Sequence, residues 1–391
     1  MKIRSEYWLV LNYLGYFCAY GVFMPLMPVW LQAQSYSDEN IALLLAFAYL
    51  FRFFGGLFFS SRIKDTAYLP TLLRYLAFGS AVMILAMGMS ATQWHSFLFI
   101  FILFSLFSVL NGAGMPLQDS LASIWHRQIG LDYGRVRLTG SLGFVVGVVC
   151  FGSLISYLGN HSIIWVLAAL LVVYTLLHLP APTILPQSTI TQAARQTVSY
   201  RALLKEPNTL RLLVAASLIQ GSHGAYYAYG TLYWLSQGIT IQTTSWLWGI
   251  SVVAEVVLFF FASKLFKHWN ITALFFLSIT AAIIRWCCFP LMTGFVQLAI
   301  LQTLHALTYA VAHFATVRYI ASQPDSHIAK LQALYNGLSS CIAVALFTAL
   351  SGTLYAYSPS YAFWGMAVMV GLAFLFLPSS LRSNIKAIRT P

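Results

Sequence analysis

Charge is what this chain has least of. Only 8% of its 391 residues are Asp, Glu, Lys or Arg, and the acidic ones number nine. A soluble domain carries about 25% charged residues, so a water-facing surface is excluded and lipid must solvate the outside. Long polar stretches are equally scarce, with one main exception between Pro180 and Pro207. Cys18, Cys150, Cys287, Cys288 and Cys341 lie in apolar stretches without CxxC spacing or a nearby His pattern. That argues against a disulfide framework or a zinc site and for small buried hydrophobes. No Ser/His/Asp set, metal cluster or phosphate loop stands out, so no enzyme and no cofactor is expected.

The basic residues exceed the acidic ones, giving a net charge of +12. They form no groove-like cluster or tail, so no nucleic acid partner is expected. Instead Arg62, Lys64, Arg74, Arg127, Arg135, Arg195, Arg201, Lys205, Lys264, Lys267, Arg318, Lys330, Arg382, Lys386 and Arg389 fall at one end of successive apolar stretches. The opposite loops hold Asp38, Glu39, His95 and His161 but neither Lys nor Arg. By the positive-inside rule both termini are expected in the cytoplasm. Lys2 and Arg4 precede an apolar run that continues to Trp30 without an A-x-A-like site, which suggests an uncleaved first span.

Twelve apolar stretches run from 7–32 to 360–378, six on either side of the polar segment. A hydrocarbon core about 30 Å thick needs roughly 20 residues per helix, so the length fits about a dozen spans. The expected fold is all-α and integral to the membrane, with twelve transmembrane helices in two pseudo-symmetric six-helix bundles. The first bundle covers 1–180, a cytoplasmic linker 181–207, the second bundle 208–380 and a cytoplasmic tail 381–391. The halves echo each other weakly: Phe58 to Ile63 closes span two much as Phe260 to Leu265 closes span eight. Repeats of this kind commonly hold a substrate between them near mid-membrane.

Asp119, Arg137, Glu255, Arg285 and His305 are stranded inside these spans. A charge at the bilayer centre costs at least about 2.5–3.5 kcal/mol, so each requires a partner or a wet cavity. Arg52, mid-span two, has three destinations: the cytoplasmic surface by snorkelling, Asp119, or a substrate carboxylate. In span seven (208–236), His223, Tyr226, Tyr227, Gly230 and Trp234 share a face, which suits a cavity lining better than lipid. His313 is expected as a packing histidine beside His305 and Tyr309. Gly140, Gly143 and Gly147 suggest close helix packing. Pro25, Pro28 and Pro116 suggest bends, with gating points the sharper alternative.

The loop Leu131-Asp132-Tyr133-Gly134-Arg135-Val136-Arg137-Leu138-Thr139-Gly140-Ser141 is similar to the segment entering the fifth helix of lactose permease, in the major facilitator superfamily. With the Asp119 region, and the strings Leu301 to His305 and Arg318 to Ile320, the chain resembles the phenylpropionate permease branch of that superfamily. By position, Asp119 and Arg137 match a charge pair at the permease's sugar site, though such a pair can simply lock two helices. Phe144 matches a ring that stacks on substrate. Glu255, Arg285 and His305 resemble the groups that serve substrate binding and proton coupling, Glu255 nearly one turn out of register. Burial favours a protonated carboxylate and a nearby Arg an ionised one, so Glu255 with Arg285 beside it could take and release a proton.

Thr308 stands where the permease has a proton-release Glu, which leaves Glu255 as the expected carrier, with His305 or His223 assisting. Leu258 replaces a sugar-binding Asn, which disfavours a sugar. The superfamily's Asp-Arg loop step is Ser61-Arg62 and Ser263-Lys264 here. The resemblance implies a monomeric carrier of the bacterial inner membrane that imports a small organic molecule with protons by alternating access, the proton gradient supplying the energy. An aromatic carboxylate such as 3-phenylpropionate is the implied substrate, with Asp119, Arg137, Phe144, His223, Tyr227, Arg285 and Arg52 as its contacts. A sugar or nucleoside proton symporter is the alternative within the fold; a non-transporting receptor or assembly factor is the alternative outside it.

Overall fold

The computed structural model describes residues 2–93, 96–187 and 199–377. His95, Arg195, Arg382, Lys386, Arg389 and the tail 381–391, on which the charge pattern and the expected boundaries also draw, lie outside them. Among the described residues, eleven continuous helices are long and apolar enough to cross a membrane: Ser5–Ala33, Asp38–Arg62, Thr66–Ala91, Phe97–Ile129, Tyr133–Leu158, Asn160–Leu177, Ile241–Leu265, Ile271–Leu291, Phe295–Ala321, Ser326–Tyr357 and Pro359–Phe376. The remaining span, the seventh, is built from two helices, Pro207–Gly221 and Gly224–Ser236. In hydrocarbon every backbone group must be satisfied internally, which is why the chain resolves into helices almost throughout.

The spans start where short polar side chains can cap them. Ser37, Asp132, Thr240 and Asn270 each accept a bond from a backbone N–H in the first turn of spans two, five, eight and nine. Asp38 and Glu39 follow in the first turn of span two, where the helix dipole favours negative charge. Span four stops at Gly130, left-handed at φ 69°, and two residues later Asp132 caps span five. That tight return brings Asp119 and Arg137 onto neighbouring helices.

Prolines do not break the helices in which they sit: span one runs through Pro25 and Pro28, and span four through Pro116. The break falls instead at Ser222–His223, inside the stretch expected as one helix. There the His223 N–H turns back to Gln220 O. The Ile219 carbonyl, passed over by this tighter turn, lies 2.7 Å from Ser222 Oγ and 3.0 Å from His223 Nδ1. Side chains thereby take over the backbone bond, as burial demands. Spans five, ten and eleven each carry a π-helical turn, at Gly147–Phe151, Ala306–Ala310 and Asn336–Ala343.

Spans one and five meet backbone to backbone. A Cβ on Gly143 would lie 2.6 Å from Leu14 O, and one on Gly147 would overlap Cys18 O. The two halves touch chiefly at the end remote from the N-terminus. A Cβ on Gly352 would overlap the Ala42 Cβ, and one on Gly152 would overlap Ser245 Oγ. Tyr229 donates to Asp38 O at 2.6 Å and stacks on Tyr355 at 4.1 Å. At the N-terminal end the linker begins as part of the first half. Lys2–Ile3 pairs in parallel with Ala181–Pro182, and Trp8 Nε1 donates to Pro180 O at 2.8 Å. The short helix Tyr200–Lys205 precedes span seven.

Candidate functional site

Span one carries a ladder of aromatic rings, Tyr13, the adjacent Tyr16 and Phe17, Tyr20 and Phe23, whose successive rungs are three or four residues apart. The first-half charges hang from this ladder. Asp119 accepts a short bond from Tyr13 and a second, at 3.3 Å, from Tyr133. Arg137 Nε lies 4.0 Å from Asp119 Oδ1, with the two side chains 34% and 31% exposed. Its guanidinium lies over Phe17 at 4.8 Å. The expected pair is thus brought together, but through tyrosines that the sequence reading missed. The three- and four-residue aromatic spacing was the available signal.

Arg52 turns neither to the membrane surface nor to Asp119. It donates to Asn111 Oδ1 at 3.3 Å and Tyr16 Oη at 3.5 Å, and lies 5.1 Å over the Tyr20 ring. It helps line a cavity whose walls come from spans one and two on one side and spans seven and eleven on the other. Phe23, Met24, Leu45, Tyr49, Tyr227 and Thr348 contribute to it. Phe144 is buried behind this cavity and packs on Tyr20 with ring centres 6.2 Å apart.

The second-half charges are drier. Arg285 is fully buried and in contact on several sides. Its guanidinium donates to Gln302 Oε1 at 2.9 Å and to Thr308 Oγ1 at 3.3 Å, and its Nη1 lies 3.0 Å from His305 Nδ1. Tyr226 lies beneath it at 4.6 Å and itself stacks on Trp248 at 4.2 Å. The span-seven face therefore divides. His223, Tyr226 and Trp234 are buried within the second half, while Tyr227 reaches the cavity.

Glu255 and Arg285 are near each other without direct contact. His305 stands between them, its Nε2 3.5 Å from Glu255 Oε2. A guanidinium can only donate, so His305 Nδ1 accepts and the imidazole proton sits on Nε2, facing the carboxylate. Thr308 is the second junction, bonded to Arg285 and, at 3.0 Å, to His223 Nε2. Because His223 Nδ1 lies against a carbonyl, its Nε2 is the acceptor for the Thr308 hydroxyl.

The π turn of span ten aims these groups. It begins immediately after His305, and Ser278 Oγ stitches its Leu307 and Thr308 carbonyls at 2.7 and 3.0 Å. Single π turns recur at functional sites because they re-register side chains within a helix. Gln302, one turn before His305, was also missed. His313, expected as a packing histidine, bonds Tyr335 Oη at 3.0 Å.

Twelve spans in two halves, closed together at one end around buried charges and an aromatic cavity, define a membrane transporter of the major facilitator type. Residues 7–365 match the MFS_1 like family, and the chain belongs to it. It is 36% identical to the "Probable 3-phenylpropionic acid transporter" of Escherichia coli (strain K12), over 96% of this chain and 98% of that protein. It is 23% identical over 360 residues to the "Maltose permease" of Geobacillus stearothermophilus, covering 91% of this chain and 82% of that one. Among solved structures, the nucleoside transporter NupG superposes with a TM-score of 0.76 at 15% identity, covering 96% of this chain and 98% of the other. That likeness concerns the fold. The expected superfamily, its phenylpropionate permease branch, the twelve-span fold and the non-enzymatic transporter class all hold.

Proposed function

We propose that this protein imports an aromatic monocarboxylate, 3-phenylpropionate or a close analogue, together with protons across a bacterial inner membrane. The substrate class rests on the relative at 36% identity, and the aromatic cavity between the halves suits it. The proton reading is carried by one observation: the line from Glu255 through His305 to Arg285. When Glu255 is ionised, the His305 N–H and the charge of Arg285 behind it stabilise the anion. When Glu255 takes a proton, the line loses its negative end, and the group can cross a low-dielectric region at lower cost. A carboxylate in this position couples proton uptake to the arrangement of spans eight, nine and ten.

The basic residues at one end support a cytoplasmic position for both termini. The contacts that close the halves at Asp38–Tyr229 and Gly152–Ser245 then lie on the periplasmic side. Rocking the halves about this cavity exposes it alternately to the two sides. The protein works as a monomer, needs no cofactor and draws on the proton gradient.

Proteoliposomes loaded at alkaline internal pH and given labelled 3-phenylpropionate test this. Accumulation should require the pH gradient and disappear with a protonophore. Gradient-driven uptake of a galactoside or nucleoside, with none of the aromatic acid, would replace the substrate assignment. Full function of Glu255→Gln would remove the proton role.

A further inference from the structure

Of the arginines in the spans, Arg52, Arg137 and Arg285 are the ones set among the interior polar groups described above, and they are not equivalent. Arg285 is sealed inside the second half with its terminal nitrogens bonded. Arg137 stands beside Asp119. Arg52 has no carboxylate within 4.0 Å among the described residues, only the neutral oxygens of Asn111 and Tyr16 and the face of Tyr20. Of the span carboxylates, Glu6, Asp38 and Glu39 lie in first helical turns, and the deeper Asp119 and Glu255 are paired with Arg137 and His305, so neither neutralises Arg52. An unpaired cation at mid-membrane is costly, and a monoanion in the adjoining cavity would offset it.

The surroundings of Arg52 hold it in place. Span four crosses so closely that a Cβ on Gly112 would lie 2.5 Å from Arg52 Cα, and the neighbouring Asn111 takes one guanidinium nitrogen. Tyr16 takes the other, and Tyr20 supports the plane. All three of these contacts are one-sided and neutral. From the opposite half, Thr348 lines the same cavity with a side chain 1% exposed and a hydroxyl that has no hydrogen-bond partner. A buried hydroxyl without a partner is destabilising, and its natural complement is an acceptor arriving from the cavity. Phe23, Met24 and Leu45 provide an apolar wall beside these polar groups.

The structure assigns Arg52 as the anchor for the substrate carboxylate, with the Thr348 hydroxyl as a second donor from the other half and the Phe23–Met24–Leu45 wall taking the aryl group. Asn111, Tyr16 and Tyr20 are positioning residues for the guanidinium. The assignment rests on the aromatic-carboxylate reading above and goes beyond it, because it moves the carboxylate away from Arg285 and Arg137. A ligand held by Arg52 on span two and Thr348 on span eleven bridges the halves. Binding and the closure of one half on the other are then coupled by the same two bonds.

The test uses purified full-length protein in detergent or nanodiscs, with binding of 3-phenylpropionate and its neutral isostere 3-phenylpropanamide measured by calorimetry and thermal shift. Wild type should prefer the acid. Arg52→Gln should weaken the acid about tenfold or more, the expected loss for a charge-assisted bond, and abolish the preference over the amide. Arg52→Lys should restore part of it. Thr348→Val should weaken the acid severalfold while leaving the unliganded melting temperature unchanged or higher, since it removes a hydroxyl with no partner. A purely structural threonine would not give that opposite pair of effects. Acid affinity retained within twofold in Arg52→Gln, with loss in Arg285→Gln or Arg137→Gln, overturns the assignment and leaves the substrate class standing. No acid binding by wild type overturns both. Where Arg52→Gln does not fold, unchanged acid affinity in Thr348→Val overturns the assignment.

Discussion

The first-half and second-half charges solve the same problem in opposite ways. Asp119 and Arg137 sit 4.0 Å apart, about one-third exposed, with tyrosines completing the carboxylate's contacts. Arg285 is wholly buried, and its bonds run to Gln302, His305 and Thr308, with Glu255 one residue further out. The contrast separates a partly exposed pair from a sealed cluster, where each charge depends on its protein partners. A loosely paired, partly exposed cluster suits a surface that opens and closes. Under the proposed proton coupling, the bonded chain is the route by which a proton on Glu255 would be felt at Arg285.

The comparison is most easily broken at Arg285. Arg285→Ala should abolish transport and lower stability by about 3–5 kcal/mol, because the buried acceptors around it lose their donor; a thermal melt of purified protein and an uptake assay read the two effects. Next in size, Glu255→Gln should eliminate accumulation against a gradient while counterflow exchange persists, with little change in melting temperature. If exchange fails too, Glu255 serves substrate binding and not proton coupling. Tyr13→Phe should cost about 1.5 kcal/mol, since it removes a hydrogen bond to a charged group from a fully buried phenol. Asp119→Asn should change stability least, by less than about 1 kcal/mol, because a partly exposed ion pair contributes little. A larger effect of Asp119→Asn than of Tyr13→Phe would show that the first-half ion pair is not screened despite its partial exposure.

Much of this was legible one residue at a time. Hydropathy located the spans because lipid is the solvent, and the alternation of basic loops ordered them. Asp119, Arg137, Glu255, Arg285 and His305 announced themselves because a charge in hydrocarbon has no bland explanation. The glycines of span five marked the contact with span one, where the structure brings backbones together. Less visible was the break in span seven. Gly221 and Gly224 flank it, but glycine is common in transmembrane helices, and the three prolines that looked like better candidates left their helices unbroken.

The composition and order of residues, by themselves, determined that this chain spans a membrane twelve times, which loops are basic, and which side chains must find partners inside. Only the tertiary structure decided who those partners are. His305 stands between Glu255 and Arg285, Tyr13 rather than Arg137 makes the close contact with Asp119, and Arg52 faces the cavity between the halves. The reason is geometric. Transfer into lipid is set largely by each residue's own chemistry, whereas a hydrogen bond depends on the direction of two side chains. Those directions are set by a π turn in span ten, a broken helix in span seven and the crossing of helices far apart in the sequence.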